Sequence, residues 1–244
     1  MTNKVPYSDA QAAELYNLLN PWGPSDDFYL SLAMAAPSVL DVGCGTGMML
    51  HRARNLGHQG RLLGIDPDAA ALDVARRRDD IEWVEGIAAE MPWRQEFHQA
   101  VMMSHAFQCL VSDDDIQASL AAIRTALVDG GLFTFETRNP RVRAWERWNP
   151  DHPTDVTDRD GRHLRIIHRM ESMKGDLVTF TETTSAPGGP ALRTDRTTLR
   201  FLDLDTLSGF LTDAGFVIAG RSGGWFGEPL EPASKEMIIT AKAG

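Results

Sequence analysis

The 244-residue chain has little cysteine: Cys44 and Cys109 are the only two. Two cysteines cannot make a disulfide framework, and a reducing, cytoplasmic setting is the expectation. No run of eighteen or more apolar residues occurs, which excludes a transmembrane helix and leaves no membrane partner to expect. The opening MTNKVPYSDAQ lacks the apolar core of a secretory signal. Positive charge is also scarce, with 24 Lys and Arg against 34 Asp and Glu and a net charge of -10. Such a chain repels polyanions on average, so nucleic acid is not an expected partner. One stretch runs the other way: Arg138 to Arg169 holds eight arginines against five acids. It reads as a solvated surface or as a site for an acidic small molecule. His51, His58, His98, His152, His163 and His168 have no metal-ligand spacing with cysteines or acids, so no metal is expected.

What is present suits one large domain, or a domain with an insertion. Ser8-x-x-Gln11 is a capping box that opens an N-terminal helix, and NPWGP (20–24) breaks it. A second helix is expected from Asp26 to Ala36 with Ser25 as N-cap. SVLDV then reads as a short buried strand. Strands RLLGID, IEWVEG, QAVMMS and LFTFET follow. They alternate with helices GMMLHRARNLG, PDAAALDVARRR and SDDDIQASLAAIRTALVDGG, the last stopped by Gly130-Gly131. This alternation builds a parallel sheet with helices on both faces. From residue 140 the pattern changes. Residues 140–160 read as irregular, and HLRIIHRM, DLVTFTET and RTTLRF read as antiparallel strands with turns at Lys174-Gly175 and Pro187-Gly188-Gly189. A helix, DTLSGFLTDAG, and two strands, FVIAG and EMIITAKA, complete the chain. The expected fold is α/β: a doubly wound, mostly parallel seven-stranded sheet with an antiparallel β insertion after the fifth strand. The expected units are an N-terminal helical cap (1–37), an α/β domain (38–139 and 201–244) and a β-rich insertion (140–200).

VLDVGCGTG (39–47) places Gly43, Gly45 and Gly47 directly behind the first strand, a turn that brings backbone close to a ligand. The dinucleotide fingerprint requires glycine where Met48 stands, which disfavours a nicotinamide oxidoreductase. Asp41, just before the loop, is awkward for a pyrophosphate and suits a ligand carrying an amine or another cation. About twenty residues further on, Asp66 ends the strand RLLGID, where an acid accepts hydrogen bonds from ribose hydroxyls. Together these residues fit a nucleoside joined to an amino acid.

With these motifs the sequence resembles the class I S-adenosylmethionine-dependent methyltransferases of the small-molecule type. The resemblance implies a Rossmann-like methyltransferase fold. It places Gly43, Cys44, Gly45 and Gly47 under the methionine part of the cofactor, Asp41 at its amine, and Asp66 with Pro67 at the ribose. GIAAEMPW (86–93) resembles the family's third motif, which puts Ile87 and Ala88 beside the adenine; the family often has Asp at the position of Ile87, and commonly one near Gln99. Tyr16, Trp22 and Phe28 correspond to aromatics that close over the cofactor or the substrate. Ser104 and His105 fall at the carboxyl end of the fourth strand, where ligands of open α/β sheets bind.

The resemblance implies methyl transfer to an oxygen or nitrogen of a small molecule by in-line displacement. His105 is the candidate base, unless it is a packing residue, and Glu136 is second. Glu136 and Arg138 end the fifth strand and either bind substrate or pair with each other. Trp145, Trp148 and Trp225 either wall a substrate pocket or pack a core. The insertion and the N-terminal helices would form a lid, and the protein would be a monomer or homodimer. Alternatives are a fold of this kind used for cyclisation or rearrangement, and a binding module that holds the cofactor structurally. A nucleic-acid methyltransferase is disfavoured by the acidic charge and by SHAFQ, which replaces the Asn/Asp-Pro-Pro-aromatic stretch of base-amine enzymes.

Overall fold

The computed structural model describes residues 7–244. Residues 1–6 of the expected cap lie outside the described residues. Helix α1 (Asp9–Leu19) starts with the reciprocal Ser8–Gln11 capping box. Helix α2 (Pro24–Ala35) starts earlier than the sequence suggests: Gly23, not Ser25, is its N-cap. Pro24 is preorganised for a first helical turn and has no N–H to satisfy. The Asp26 carboxylate accepts the Gly23 N–H at 2.8 Å.

Strands β1 (Ser38–Val42), β2 (Arg61–Asp66), β3 (Glu82–Glu85), β4 (Phe97–Met102), β5 (Leu127–Arg138), β10 (Phe216–Ser222) and β11 (Glu236–Ala243) form one seven-stranded sheet in the order β10-β11-β5-β4-β1-β2-β3. All pairings are parallel except those of β11, which runs antiparallel to both neighbours. Helices α3 (Met48–Asn55), α4 (Ala69–Ala75), α5 (Asp113–Ala126) and α6 (Leu204–Asp213) connect them. β1 is buried along its whole length, as a central parallel strand must be. The chain leaves β1 for β2 on one side and returns to β4 on the other. The carboxyl ends of β1 and β4 therefore flank the topological switch point, where open α/β sheets bind ligands.

The helix expected to run up to Gly130-Gly131 is shorter than its sequence stripe. α5 stops at Ala126, and β5 already begins at Leu127, which is fully buried and pairs with Phe97 of β4. Sheet pairing outcompetes the last helical turn, and Gly130 (φ 78°) lies inside the strand instead of ending the helix.

The insertion is an antiparallel sheet of four strands: β6 (Thr154–Thr157), β7 (His163–Lys174), β8 (Leu177–Ser185) and β9 (Ala191–Arg200). β6 lies in the stretch read as irregular. It is short and polar, and its cross-strand ion pair, Asp155 with Arg165 at 2.6 Å, exists only once β7 is alongside.

α1 ties the two sheets together. Its Leu15 packs with Leu164 and Ile166 of β7, and its Ala13 with Ala71 and Val74 of α4. Glu14 pairs with both Arg77 and Arg159. The main core is built from Phe97, Phe133, Phe135, Leu120 and Ile123, all fully buried.

Gly47 (φ 73°) has no room for a side chain, since a Cβ would lie 2.3 Å from the Trp83 ring. Gly47→Ala combines that clash with a left-handed backbone. It should lower stability by more than about 1 kcal/mol, read as a reduced urea midpoint.

Candidate active site

The glycine loop leaves β1 and folds back over the end of β2. Gly43 and Cys44 donate N–H bonds to the Ile65 carbonyl at 2.8 and 3.2 Å. Gly43, Gly45 and Gly47 have φ of 77°, 53° and 73°, so all three occupy the left-handed region that favours glycine. A Cβ on Gly43 would press on Ala106 at 2.9 Å, whereas one on Gly45 would meet nothing within 4 Å. The loop therefore presents open space above Gly45. The Asp66 carboxylate supports that loop from below, accepting the Gly45 N–H at 2.7 Å and the Asp68 N–H at 2.8 Å.

Asp41 lies beneath the loop, 2% exposed, and its Oδ1 has no hydrogen-bond partner among the described residues. Burial, and then the charges of Asp66 and Glu136, push its carboxyl up to about 8. Burial also raises the Cys44 thiol and the Asp66 carboxyl. Further along the same edge, Pro67 is exposed, Ala88 is buried and Ile87 is 47% exposed at the start of a short 3-10 turn, Ala88–Glu90. Thr46, which sequence reasoning passed over, donates its hydroxyl to Asn17 of α1 at 2.7 Å.

The second half of the site lies beyond β4. Ser104 and His105 have φ of 54° and 63°, two successive non-glycine residues in the left-handed region. Strain of this kind persists where its surroundings hold it. Here the His105 N–H donates to Glu136 Oε1 at 2.9 Å. The other Glu136 oxygen accepts the Tyr29 hydroxyl of α2. Glu136 is 1% exposed, and burial raises its carboxyl. The second candidate base is thus a buried post with both oxygens engaged. Nor does it bond to Arg138. The Arg138 guanidinium donates to Gln108 Oε1 at 2.9 Å and lies 5.6 Å from the Trp148 ring centre. Burial lowers the Arg138 pKa, opposed by the charges of Glu236 and Glu136.

The His105 ring meets Glu236 at the start of β11, with Nε2 and Oε2 2.8 Å apart. Sequence reasoning missed Glu236 entirely. It lies 131 residues from His105, and only the antiparallel register that sets Glu236 opposite Arg138 brings it here. Tyr29 and Gln108 were missed for the same reason, because each acts through a partner on another element.

Phe28, Tyr29 and Trp225 form an aromatic group, with ring centres 5.2 to 6.0 Å apart. Tyr16 is 45% exposed, and desolvation of its hydroxyl raises its pKa, opposed by Ser104. Trp22 lies under the Arg52 guanidinium, 4.9 Å from its ring centre, and donates its indole N–H to Asp27 at 2.7 Å. Trp145 belongs to the insertion's own small core with Val178, Leu199 and Phe201. It is 3% exposed and packs this core. Its other side lines a cavity of about 380 Å³ between residues 143–150 and β7, together with Trp148.

Asp41, Asp66, Glu136 and Glu236 thus lie along one edge of the sheet, a field that favours a cationic ligand. The family profile described as Methyltransferase domain matches residues 39–131. The chain is 34% identical over 171 residues to a 2-phytyl-1,4-naphtoquinone methyltransferase of Thermosynechococcus vestitus, covering 68% of this chain and 74% of that one. The CcbJ methyltransferase of Streptomyces caelestis has the same fold, with TM-score 0.76, 18% identity and coverage of 98% and 100%. So has an amino pentose methyltransferase of calicheamicin biosynthesis from Micromonospora echinaspora, solved with S-adenosylmethionine bound (TM-score 0.71, 19% identity, coverage 96% and 97%).

A carboxyl raised by burial keeps its proton in the folded state after the unfolded chain has lost it. The ligand-free protein should therefore lose stability as pH rises from about 4 to about 8, where Asp41 ionises. Asp66 and Glu136 add to the same trend. Asp41→Asn should raise the unfolding midpoint near pH 8 and flatten the profile, measured by thermal melts across that range.

Proposed function

Because the chain belongs to the class I S-adenosylmethionine-dependent methyltransferases, we propose that it methylates an oxygen or nitrogen nucleophile of a small molecule, with His105 as base. When bound, S-adenosylmethionine supplies a methyl group on a positively charged sulfur and leaves as S-adenosylhomocysteine. The observation that supports the site assignment is the buried Asp41 Oδ1, without a hydrogen-bond partner among the described residues, on the strand that leads into the glycine loop with its open space at Gly45. An orphaned carboxylate of that kind is costly in the free protein and fits the ammonium of the cofactor's amino acid.

In this reading Gly43, Cys44, Gly45 and Gly47 hold the methionine part through backbone. Asp66 has lone pairs beyond those used by Gly45 and Asp68, and these accept ribose hydroxyls beside Pro67. The exposed Ile87, with Ala88 behind it, offers an apolar face to the adenine. Tyr16, Ser104 and Trp22 close the cofactor side. Phe28, Trp225, Trp148 and Arg138 meet the acceptor. His105 takes the proton from an acceptor hydroxyl or protonated amine, a contribution of roughly 10²–10⁴-fold. Glu136 fixes the backbone that carries it. Residues 140–200 and the N-terminal helices act together as a lid over the α/β domain, supported by the contacts α1 makes with both sheets.

The net charge of -10 and the absence of a base-amine motif support a small-molecule acceptor over nucleic acid. No described helix is long and apolar enough to cross a membrane. With two free cysteines, a cytoplasmic monomer or homodimer is the form proposed.

Release of S-adenosylhomocysteine with small-molecule acceptors, followed by mass spectrometry, tests the activity. Asp66→Ala should weaken S-adenosylmethionine binding about tenfold or more by calorimetry, and unchanged affinity would remove its ribose role. His105→Ala should lower kcat by roughly 10²-fold or more while the cofactor Kd stays within about twofold.

A further inference from the structure

We infer that Glu236 is the positioning residue of the reaction: it locks the His105 ring with Nε2 protonated, so that Nδ1 is the nitrogen that receives the acceptor's proton. The inference rests on the reading of His105 as the base and names how that base is presented.

The His105 ring is held from two sides. Its backbone N–H is bonded to Glu136, which sets a left-handed φ of 63°. Its Nε2 is 2.8 Å from Glu236 Oε2, with both side chains 20% exposed. A carboxylate offers only acceptors, so the ring nitrogen facing it must carry hydrogen. A neutral imidazole has one N–H and one lone pair, and with Nε2 protonated the lone pair falls on Nδ1. Nδ1 has no hydrogen-bond partner among the described residues. It is therefore the ring atom free to accept a proton.

When Nδ1 gains that proton the ring becomes an imidazolium, and the Glu236 carboxylate lies against the charge. The proton travels from the acceptor's O–H or N–H to Nδ1, while the electron pair of that bond remains on the acceptor as its nucleophilic pair. Arg138 stands opposite Glu236 on β5. The arrangement divides the work between two acids. Glu136 places the backbone, and Glu236 places the ring.

The test is a two-bond proton–nitrogen spectrum of protein with ¹⁵N-labelled histidine, recorded above the histidine titration range; His105→Ala assigns the signals by their loss. Wild type should show His105 with Nε2 protonated and Nδ1 bare. Glu236→Ala should mix the two tautomers and lower kcat about tenfold or more, with the Kd for S-adenosylmethionine within about twofold. Glu236→Gln keeps an acceptor oxygen, and should restore the tautomer and part of kcat. It also serves if the alanine variant fails to fold. A wild-type ring protonated at Nδ1, or a tautomer or kcat indifferent to Glu236→Ala, would overturn the inference. Unchanged turnover in His105→Ala would instead remove the base assignment, a failure separable because the wild-type spectrum does not depend on it.

Discussion

The arrangement of the site depends on one buried carboxylate. Glu136, near the end of β5, accepts the Tyr29 hydroxyl from α2 and the His105 N–H from the turn after β4. Three separate elements meet at this side chain. It helps to hold two consecutive left-handed residues after β4, each disfavoured by its Cβ. The Tyr29 ring, fully buried, in turn supports Phe28 and Trp225, so the aromatic wall is joined to the same post.

The same edge collects four acids, with Arg138 as the counter-charge on the Glu136 and Glu236 side. Asp41 and Asp66 lie under the glycine loop, with Glu136 and Glu236 beyond β4 and β11. Burial raises the carboxyls of Asp41, Asp66 and Glu136, which means that their charged forms are disfavoured until a cation arrives. A stability cost concentrated at the mouth of the switch point is what a site built for a positively charged cofactor would carry. The methyl donor of this family bears positive charge at its sulfur and at its amine, and the field is of the matching sign.

The insertion is joined to that edge by more than chain connectivity. α1 packs on β7 through Leu15, on α4 through Ala13, and reaches the glycine loop through Asn17 and Thr46. Trp148 extends the connection from the other side by facing Arg138. A displacement of the insertion sheet would therefore be felt at both the loop and the rim, which supports its proposed role as part of a lid.

Much of this protein is legible in its sequence because the demands are local. Three positive-φ glycines behind a buried strand, an acid before them and another at the next strand end each answer to backbone geometry within a few residues. The alternation of strands and helices follows from side-chain periodicity in the same way. The chain alone thus determined the fold class and the family. It did not determine where α5 yields to β5, because Leu127 fits a helical stripe as well as a strand until Phe97 lies beside it. Nor did it assign Glu136 its buried post, Trp145 its place in a core, or Glu236 any role at all. These depend on pairing register and on contacts between residues up to 131 positions apart. Short-range physics is written along the chain; the convergence of distant side chains is decided only when the sheet closes.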